Sequence, residues 1–387
     1  MSKKQKNMTG LTDIEKTKGA NINVALISEN DELNNLETSK CVLRFSGNSI
    51  NYVIVSTLRR VIMSLIPCYA FNVNNIKITS NTSVFVNDML KLRFSNFPIY
   101  LRKELNQKYK NLKKLEHVQV INPHNTIEQF QKLEYKANLG SAEIDRSSES
   151  LEKENIKDNL IIAINVKNVE STIMDVMTNT PGVKYYYKSE QISHIYSTPL
   201  LLVQLQPGQE LSCSMTADLN IAMSNAIYRP CSLCHAVELD KNTFDFTLMS
   251  KRQVSERDMF MRACEIIKVK AIHARQIFHE NISKYTNNEE NTHTDDVTSH
   301  FRIGKIMIEG EQHTMGNLLA RYIQDHPDII NGGYKVGHPN VNNCEIGYES
   351  KKNILDIIDD VTNQIVAIYD NIHDQIEKLP NFAYQYN

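Results

Sequence analysis

Cys231-Ser-Leu-Cys234-His235 is the densest group of metal-capable side chains in the sequence. Two thiolates and an adjacent imidazole would supply three of the four ligands of a tetrahedral zinc. A closed site would then need Cys213, Cys264 or a distant histidine, because no second CxxC and no HxxxH accompanies the motif. The same letters, CxxCH, are the pattern of covalent haem attachment, which needs an export route of which the sequence gives no sign. Buried or incidental thiols are the third reading, and the expectation is no bound cofactor.

Other chemistry is thinly provided for. Neither GxxxxGK[ST] nor GxGxxG is present to cradle a phosphate, and HExxH and GxSxG are missing too. No Asp triplet could hold the magnesium ions of a nucleotidyl transferase; Asp245, in Phe-Asp-Phe, stands alone. Asp295-Asp296 and Asp359-Asp360 read as linker and solvated helix face. Catalytic residues are therefore not expected. Arg59 and Arg60 flank the apolar face of a short helix. They are either a solvated flank or two guanidinium forks placed to take carboxylates of a partner. Arg102–Lys114 carries six positive residues against one negative. It reads as a wet helix face, or as a contact to nucleic-acid backbone in a factor that acts alone.

The composition limits the function classes. The 387 residues correspond to two or three domains at roughly 150 residues each. Lys plus Arg number 43 and Asp plus Glu 45, which argues against a dedicated nucleic-acid coat and leaves contact with DNA indirect. Seven cysteines, an odd count at irregular spacing, suit a reducing compartment. Lys3, Lys4 and Lys6 precede polar residues, not an apolar run, and no stretch is long enough to span a membrane.

These side chains need elements to position them. Residues 1–21 are polar and read as a disordered tail. Ile54, Leu58, Val61, Ile62 and Leu65 fall on one face of a helix from Tyr52 that Pro67 closes. Phe71, Val73, Ile76 and Ile78 then suggest a strand over Ala70–Thr79. Asn138–Asn159 is a charged loop. Leu160–Val166, Pro199–Gln204 and Leu211–Ala217 read as strands, the last two flanking a Pro207-Gly208 turn. A helix spans about Glu256 to Tyr285, and residues 286–300 form the clearest linker. Phe301–Ile308 alternates like a strand, and His313–Ile323 is a short amphipathic helix. The last helix places Ile354, Ile358, Val361, Ile365, Ile368, Ile372, Ile376 and Leu379 at spacings of three and four. It reads as the longest in the chain, about 39 Å over its 26 residues. Strand, short helix, β segment and long helix thus occur before the linker and again after it. Two such units would bury their apolar seams by pairing with each other.

Leu58–Tyr100 resembles the N-terminal motif of the α-type assembly subunits of multisubunit RNA polymerases. Leu58, Arg59, Arg60, Pro67, Ala70, Asn81, Thr82, Ser83, Val84, Asp88, Arg93 and Pro98 match it. Ser56, Asn87 and Leu92 depart from it. Leu201–Met215 is similar to the strand-PGQ-strand of those subunits, and Phe244–Val254 to their closing segment. After the linker, His313, Thr314, Gly316, Asn317, Leu318, Leu319, Gly333, Tyr334, Lys335, Val336, His338 and Pro339 resemble the small partner, the eleventh subunit of RNA polymerase II and archaeal L. Gln312 and Gly337 depart. One chain would then hold what cellular enzymes divide between the third and eleventh subunits, archaeal D and L, or a bacterial α dimer. Such a fusion resembles the polymerases of large cytoplasmic DNA viruses.

The resemblance implies an α+β fold of two α-type dimerisation units paired within one chain, plus a β-rich insert. The units would be residues 22–98 with 230–285, and 301–387, with the insert at 99–229. Leu58, Ile62, Leu318, Leu319, Tyr322, Ile358, Ile365 and Ile372 would join the halves. Arg59, Arg60 and Arg93 would meet partners: the second-largest and then the largest polymerase subunit, beside a small zinc-bearing one. A viral chain would act in the cytoplasm, in a viral factory or virion, and a cellular one in the nucleus. Some relatives carry a zinc or iron–sulfur site in the insert. Residues 99–212 here lack cysteine, so that site is not expected. The rival class is a free-standing metal- or redox-binding protein using Cys231, Cys234 and His235.

Overall fold

The computed structural model describes residues 21–30, 39–99, 130–134, 137, 160–187, 189–196, 198–251, 253–286, 302–337 and 343–379. The 1–20 tail, Arg102–Lys114, the Asn138–Asn159 loop, linker residues 287–300, and His338 with Pro339 lie outside the described residues.

The fold is α+β. Strands β1 (Asn23–Asn30) and β2 (Ser39–Ser46) lead to helix α1 (Tyr52–Ser64). The Asn51 side chain caps α1, its Oδ1 accepting from Val53 N at 3.0 Å and Ile54 N at 3.1 Å. The long strand β3 (Cys68–Asn81) follows, then helix α2 (Asn87–Ser95). A β-rich stretch supplies β4 (Leu160–Lys167), β5 (Met174–Met177), β6 (Val183–Tyr187), β7 (Glu190–Ile192), β8 (Leu201–Leu205) and β9 (Glu210–Asn220). The β8–β9 turn needs Gly208, whose φ of +80° favours glycine. Strands β10 (Cys231–Asp240) and β11 (Thr243–Ser250) then return to the first sheet, giving the antiparallel order β1-β2-β11-β10. Helix α3 (Glu256–Thr286) closes this part.

After residue 301 come β12 (Arg302–Glu309), α4 (His313–Gln324), β13 (Ile329–Val336), β14 (Asn343–Ser350) and α5 (Ile354–Lys378). Their sheet runs β12-β14-β13, antiparallel throughout. With 31 residues against 25, α3 rather than α5 is the longest helix, contrary to the sequence expectation. It also runs to Thr286, shortening the expected linker by a residue at its start.

Two hydrophobic cores form. One is shared by residues from both sides of the linker: it takes Leu43, Phe45, Leu58, Ile62, Phe246, Phe260 and Phe278 from before it, and Leu318, Leu319, Ile346, Ile358 and Ile372 from after it. The other belongs to the β-rich region, around the sheet β3-β9-β4-β6-β7 and the pair β5-β8.

The chain passes from one core to the other within β3 and returns near residue 221. Cys68 and Ala70 lie in the shared core, whereas Phe71, Ile76, Leu90, Phe94 and Ile99 lie in the second. Ile221 and Tyr228 return to the shared core. The 14 residues of β3 run without a break from one core into the other. Phe71 and Ile76 are both buried although five residues apart, because the β3–β9 register shifts between them. That shift leaves Val73 37% exposed, where simple alternation would have buried it. Gln253 fastens the junction. Its Oε1 accepts from Tyr69 N at 2.6 Å, and its Nε2 donates to Tyr69 O at 2.9 Å and Ile99 O at 3.3 Å.

Candidate pairing interface and partner-docking residues

The long helices α3 and α5 lie antiparallel along each other. The polar contacts at their rim run in opposite directions along the two helices. Arg257 donates to the Glu377 carbonyl, Lys268 Nζ meets Asp370 Oδ1 at 2.5 Å, and His279 Nε2 lies 3.0 Å from Asp359 Oδ1. Between these contacts Ile358, Ile365 and Ile372 are fully buried. The short helices form a second contact, α1 against α4, where Leu58, Ile62, Leu318 and Leu319 are likewise fully buried. All eight expected pairing residues, Tyr322 included, enter the shared core.

Three polar links across this interface went unnoticed in the sequence. Tyr369 Oη donates to the Ile54 carbonyl at 3.1 Å, a buried bond joining α5 to α1. Tyr322 bonds through its hydroxyl to Asn51, the residue that caps α1, and burial pushes its phenol up to about 12. Gln375 pairs with β1 as a neighbouring strand would. Its Oε1 accepts from Val24 N at 2.7 Å and its Nε2 donates to Ile22 O at 2.7 Å. Buried backbone groups need such partners. A lone glutamine or tyrosine in a helical stripe carries no spacing signal that would reveal them.

The expected partner-docking arginines are reachable but do not form one group. Arg59 and Arg60 stand on α1 over the shared core, whereas Arg93 stands on α2, which packs in the second core. Arg59 is half-buried, with Nη1 3.3 Å from Met63 Sδ; Arg60 is exposed. Arg93 is exposed and donates from Nη2 to Leu201 O at 3.1 Å. Among the described residues none of the three has a carboxylate partner. Asp245 has one: it accepts bidentately from Arg44 across β2 and β11, at 2.7 and 2.8 Å. Arg44 holds its carboxyl below the ordinary range.

The Cys231-Ser-Leu-Cys234-His235 motif occupies β10. In a regular strand, residues three apart face opposite ways. The register shift between Cys231 and Leu233 instead turns both thiols inward, leaving 1% and 8% exposure. They act on each other: the Cys231 sulfur and burial push the Cys234 thiol far up, and Cys234 also lies 3.8 Å from Arg59 O. His235 is exposed and cannot join them from the other face of the strand. The motif therefore brings two ligand atoms together, not three. Cys213 lies in the second core; Cys264 is buried on α3 with its thiol raised by desolvation. Among the described residues the one cluster of three metal-capable groups is elsewhere, at His373, Asp374 and Glu377 on α5.

Residues 304–375, from β12 nearly to the end of α5, match the model of the RNA polymerase Rpb3/Rpb11 dimerisation domain. The chain is similar to a protein of Acanthamoeba polyphaga mimivirus described as a DNA-directed RNA polymerase subunit. That similarity is 23% identity over 351 residues, 87% of this chain and 90% of the relative. It is also similar to a Plasmodium falciparum protein described as subunit RPB11 of DNA-directed RNA polymerase II. Here the identity is 29% over 77 residues, 19% of this chain and 61% of that protein. The domain match covers the elements that the second part of the chain gives to the shared core, and the viral likeness extends over most of the rest. Residues 304–375 thus match the Rpb3/Rpb11 dimerisation domain, and the likenesses together support an α-type subunit of a viral DNA-directed RNA polymerase.

Proposed function

We propose that the chain is a non-catalytic assembly platform of a DNA-directed RNA polymerase, in which two α-type dimerisation units pair within a single polypeptide. The observation that carries this reading is the shared core: α1 and α3 from before the linker close over α4 and α5 from after it. The first unit would comprise about residues 22–70 and 221–286, the second residues 302–379, and the insert about residues 71–99 and 160–220. The covalent connection makes pairing unimolecular. A short covalent connection gives an effective concentration on the order of millimolar, so one half never has to find the other in dilute solution.

On this reading the second-largest subunit docks first and the largest follows, with a small zinc-bearing subunit as neighbour and DNA met only through the complex. Arg59, Arg60 and Arg93, which lack carboxylate partners among the described residues, would take acidic side chains of those subunits. The viral relative favours a cytoplasmic factory or virion as the place of action. Among the described residues no helix is long and apolar enough to cross a membrane.

Affinity purification of the tagged chain from its native cells, read by mass spectrometry, tests the proposal. The wild type is expected to bring down two very large polypeptides, and the Arg59→Ala/Arg60→Ala/Arg93→Ala variant to lose at least about tenfold of them. Its melting temperature should be unchanged. Absence of large companions from the wild type would sink the reading.

A further inference from the structure

Lys270 lies in the middle of α3, and its ammonium is among the least accessible charges in the molecule, with 6% of the side chain exposed. Two carboxylates share it, and they come from distant parts of the chain. Glu311, 8% exposed, follows β12 in the second half and places Oε1 at 2.7 Å from Nζ. Glu134, 16% exposed, pairs with the same nitrogen from residues 130–134, a helical segment in the region between α2 and β4. That segment also lodges Phe130, fully buried, with its ring centroid 5.8 Å from Nζ, and packs Leu133 against the shared core.

Neither half of the molecule makes this site alone. Lys270 belongs to the part before the linker and Glu311 to the part after it, so Glu134 and Phe130 find their complete receptor only once the two are joined. The charges do not balance either. Two carboxylates and one ammonium leave one net negative charge in a site from which water is nearly excluded, and such a charge is relieved by binding a proton. Opened to water and freed of Glu134, the Glu311 carboxyl would ionise more readily.

We propose that residues 130–134 are a proton-linked clasp, which closes over the joint between α3 and the second half after they have paired and takes up one proton as it does so. Glu311, the more buried carboxyl, is the group that holds the proton. Burial pushes it up to about 7, against the pull of Lys270, and Glu134 pushes it further in the same direction. Burial pulls the Lys270 ammonium down, but Glu311 and Glu134 together outweigh it and leave it above its ordinary value, so Lys270 stays charged. The Cys344 thiol on β14 also faces Glu311. Burial, then Glu311, push it up to about 11, so it stays neutral across the working range. Lys132, on the clasp itself, is exposed to water.

The sign follows from which state binds the proton. A carboxyl raised in the closed state favours closure fully below its open-state value, and that advantage is lost as pH climbs to about 7. The opening constant should therefore rise by up to about tenfold per pH unit from the ordinary carboxyl range to about pH 7, then level off.

Hydrogen exchange of the full chain, followed by mass spectrometry between about pH 5 and 8 with times scaled to the intrinsic rate, reads this opening. In the wild type the peptide containing 130–134 should lose protection over that rise, while the α5 peptides keep theirs. In Glu311→Gln, where the cluster is neutral at every pH, the slope should vanish. Should Glu311→Gln lose protection in α5 as well, Glu134→Gln decides, because it removes the same surplus charge and should also abolish the slope. A wild-type profile without slope would overturn the clasp, as would a slope that survives in the folded variant. Loss of α5 protection in both variants would overturn it too, since the cluster would then be a support of the core.

Discussion

The pairing of the two halves can be measured by removing apolar volume from α5 in a chain whose linker has been cut. Ile365 and Ile372 are both fully buried in the core that the halves share. Replacing a buried isoleucine by alanine costs about 2–5 kcal/mol, through the lost transfer of its methyl groups and the cavity left behind. The two positions are seven residues apart, about 10 Å along the helix axis, so their effects should nearly add. The double variant is expected to lose about 4–10 kcal/mol of pairing free energy, or about three to seven powers of ten in the dissociation constant. A protease site placed among residues 287–300 allows the connection to be severed in the folded protein. After cleavage, the wild-type halves should co-elute from a sizing column at micromolar concentration, and the Ile365→Ala/Ile372→Ala halves should separate. Asn363→Ala/Gln364→Ala, on the exposed face of the same helix, should behave as wild type. Separation of the cleaved wild-type halves would refute the reasoning outright. So would a double variant held as tightly as its parent, because the burial of these residues would then not be what joins the halves.

Two further outcomes follow from local geometry. Gln375→Ala strips Val24 N and Ile22 O of their partners at the edge of a sheet, where water can partly replace them, so a loss of about 1–3 kcal/mol is expected. Faster amide exchange at the start of β1, with the rest of β1 and β2 unchanged, would identify the link; unchanged exchange there would deny it. Gly47 has φ +124°, and an added Cβ would run into the Asn21 carbonyl, so Gly47→Ala should destabilise by about 1–3 kcal/mol or more. Gly347, in mid-strand with ordinary φ and open space around its missing Cβ, should instead gain about 0.4–1 kcal/mol as alanine. Urea denaturation of the two variants distinguishes the cases, and equal effects would contradict the backbone argument.

The sequence revealed those features whose determinants lie close together in the chain. The face of α1 is set by residues within three turns and capped by the adjacent Asn51. The α5 stripe is likewise local. Features assembled from distant segments left no such trace. Lys270, Glu134 and Glu311 are ordinary charged residues until the fold gathers them, and nothing in the spacing of Cys231 and Cys234 betrays the register shift that turns both inward. The point at which β3 passes between the two cores is hidden for a related reason. A strand that leaves one core and enters another looks, residue by residue, like a strand that stays in one.

The width of the α5 stripe separates what a repeat can say from what it cannot. Spacings of three and four describe a narrow seam, the surface one helix needs for one partner. Yet Ile357, Thr362 and Tyr369, which lie off that seam, are buried as deeply as the residues on it. Tyr369 reaches Ile54 on α1, and Gln375 reaches β1, while the rim contacts of the same helix go to α3. Helix α5 is thus covered on two sides by the part of the chain before the linker. A free helical pair would leave one of those sides to water. The additional burial is what a helix requires when it serves as the central strut of a joint and not as half of a zipper. It also explains why polar side chains, Tyr369 and Gln375, stand beside the aliphatic seam: the second surface they meet is main chain, with carbonyls and amides to satisfy.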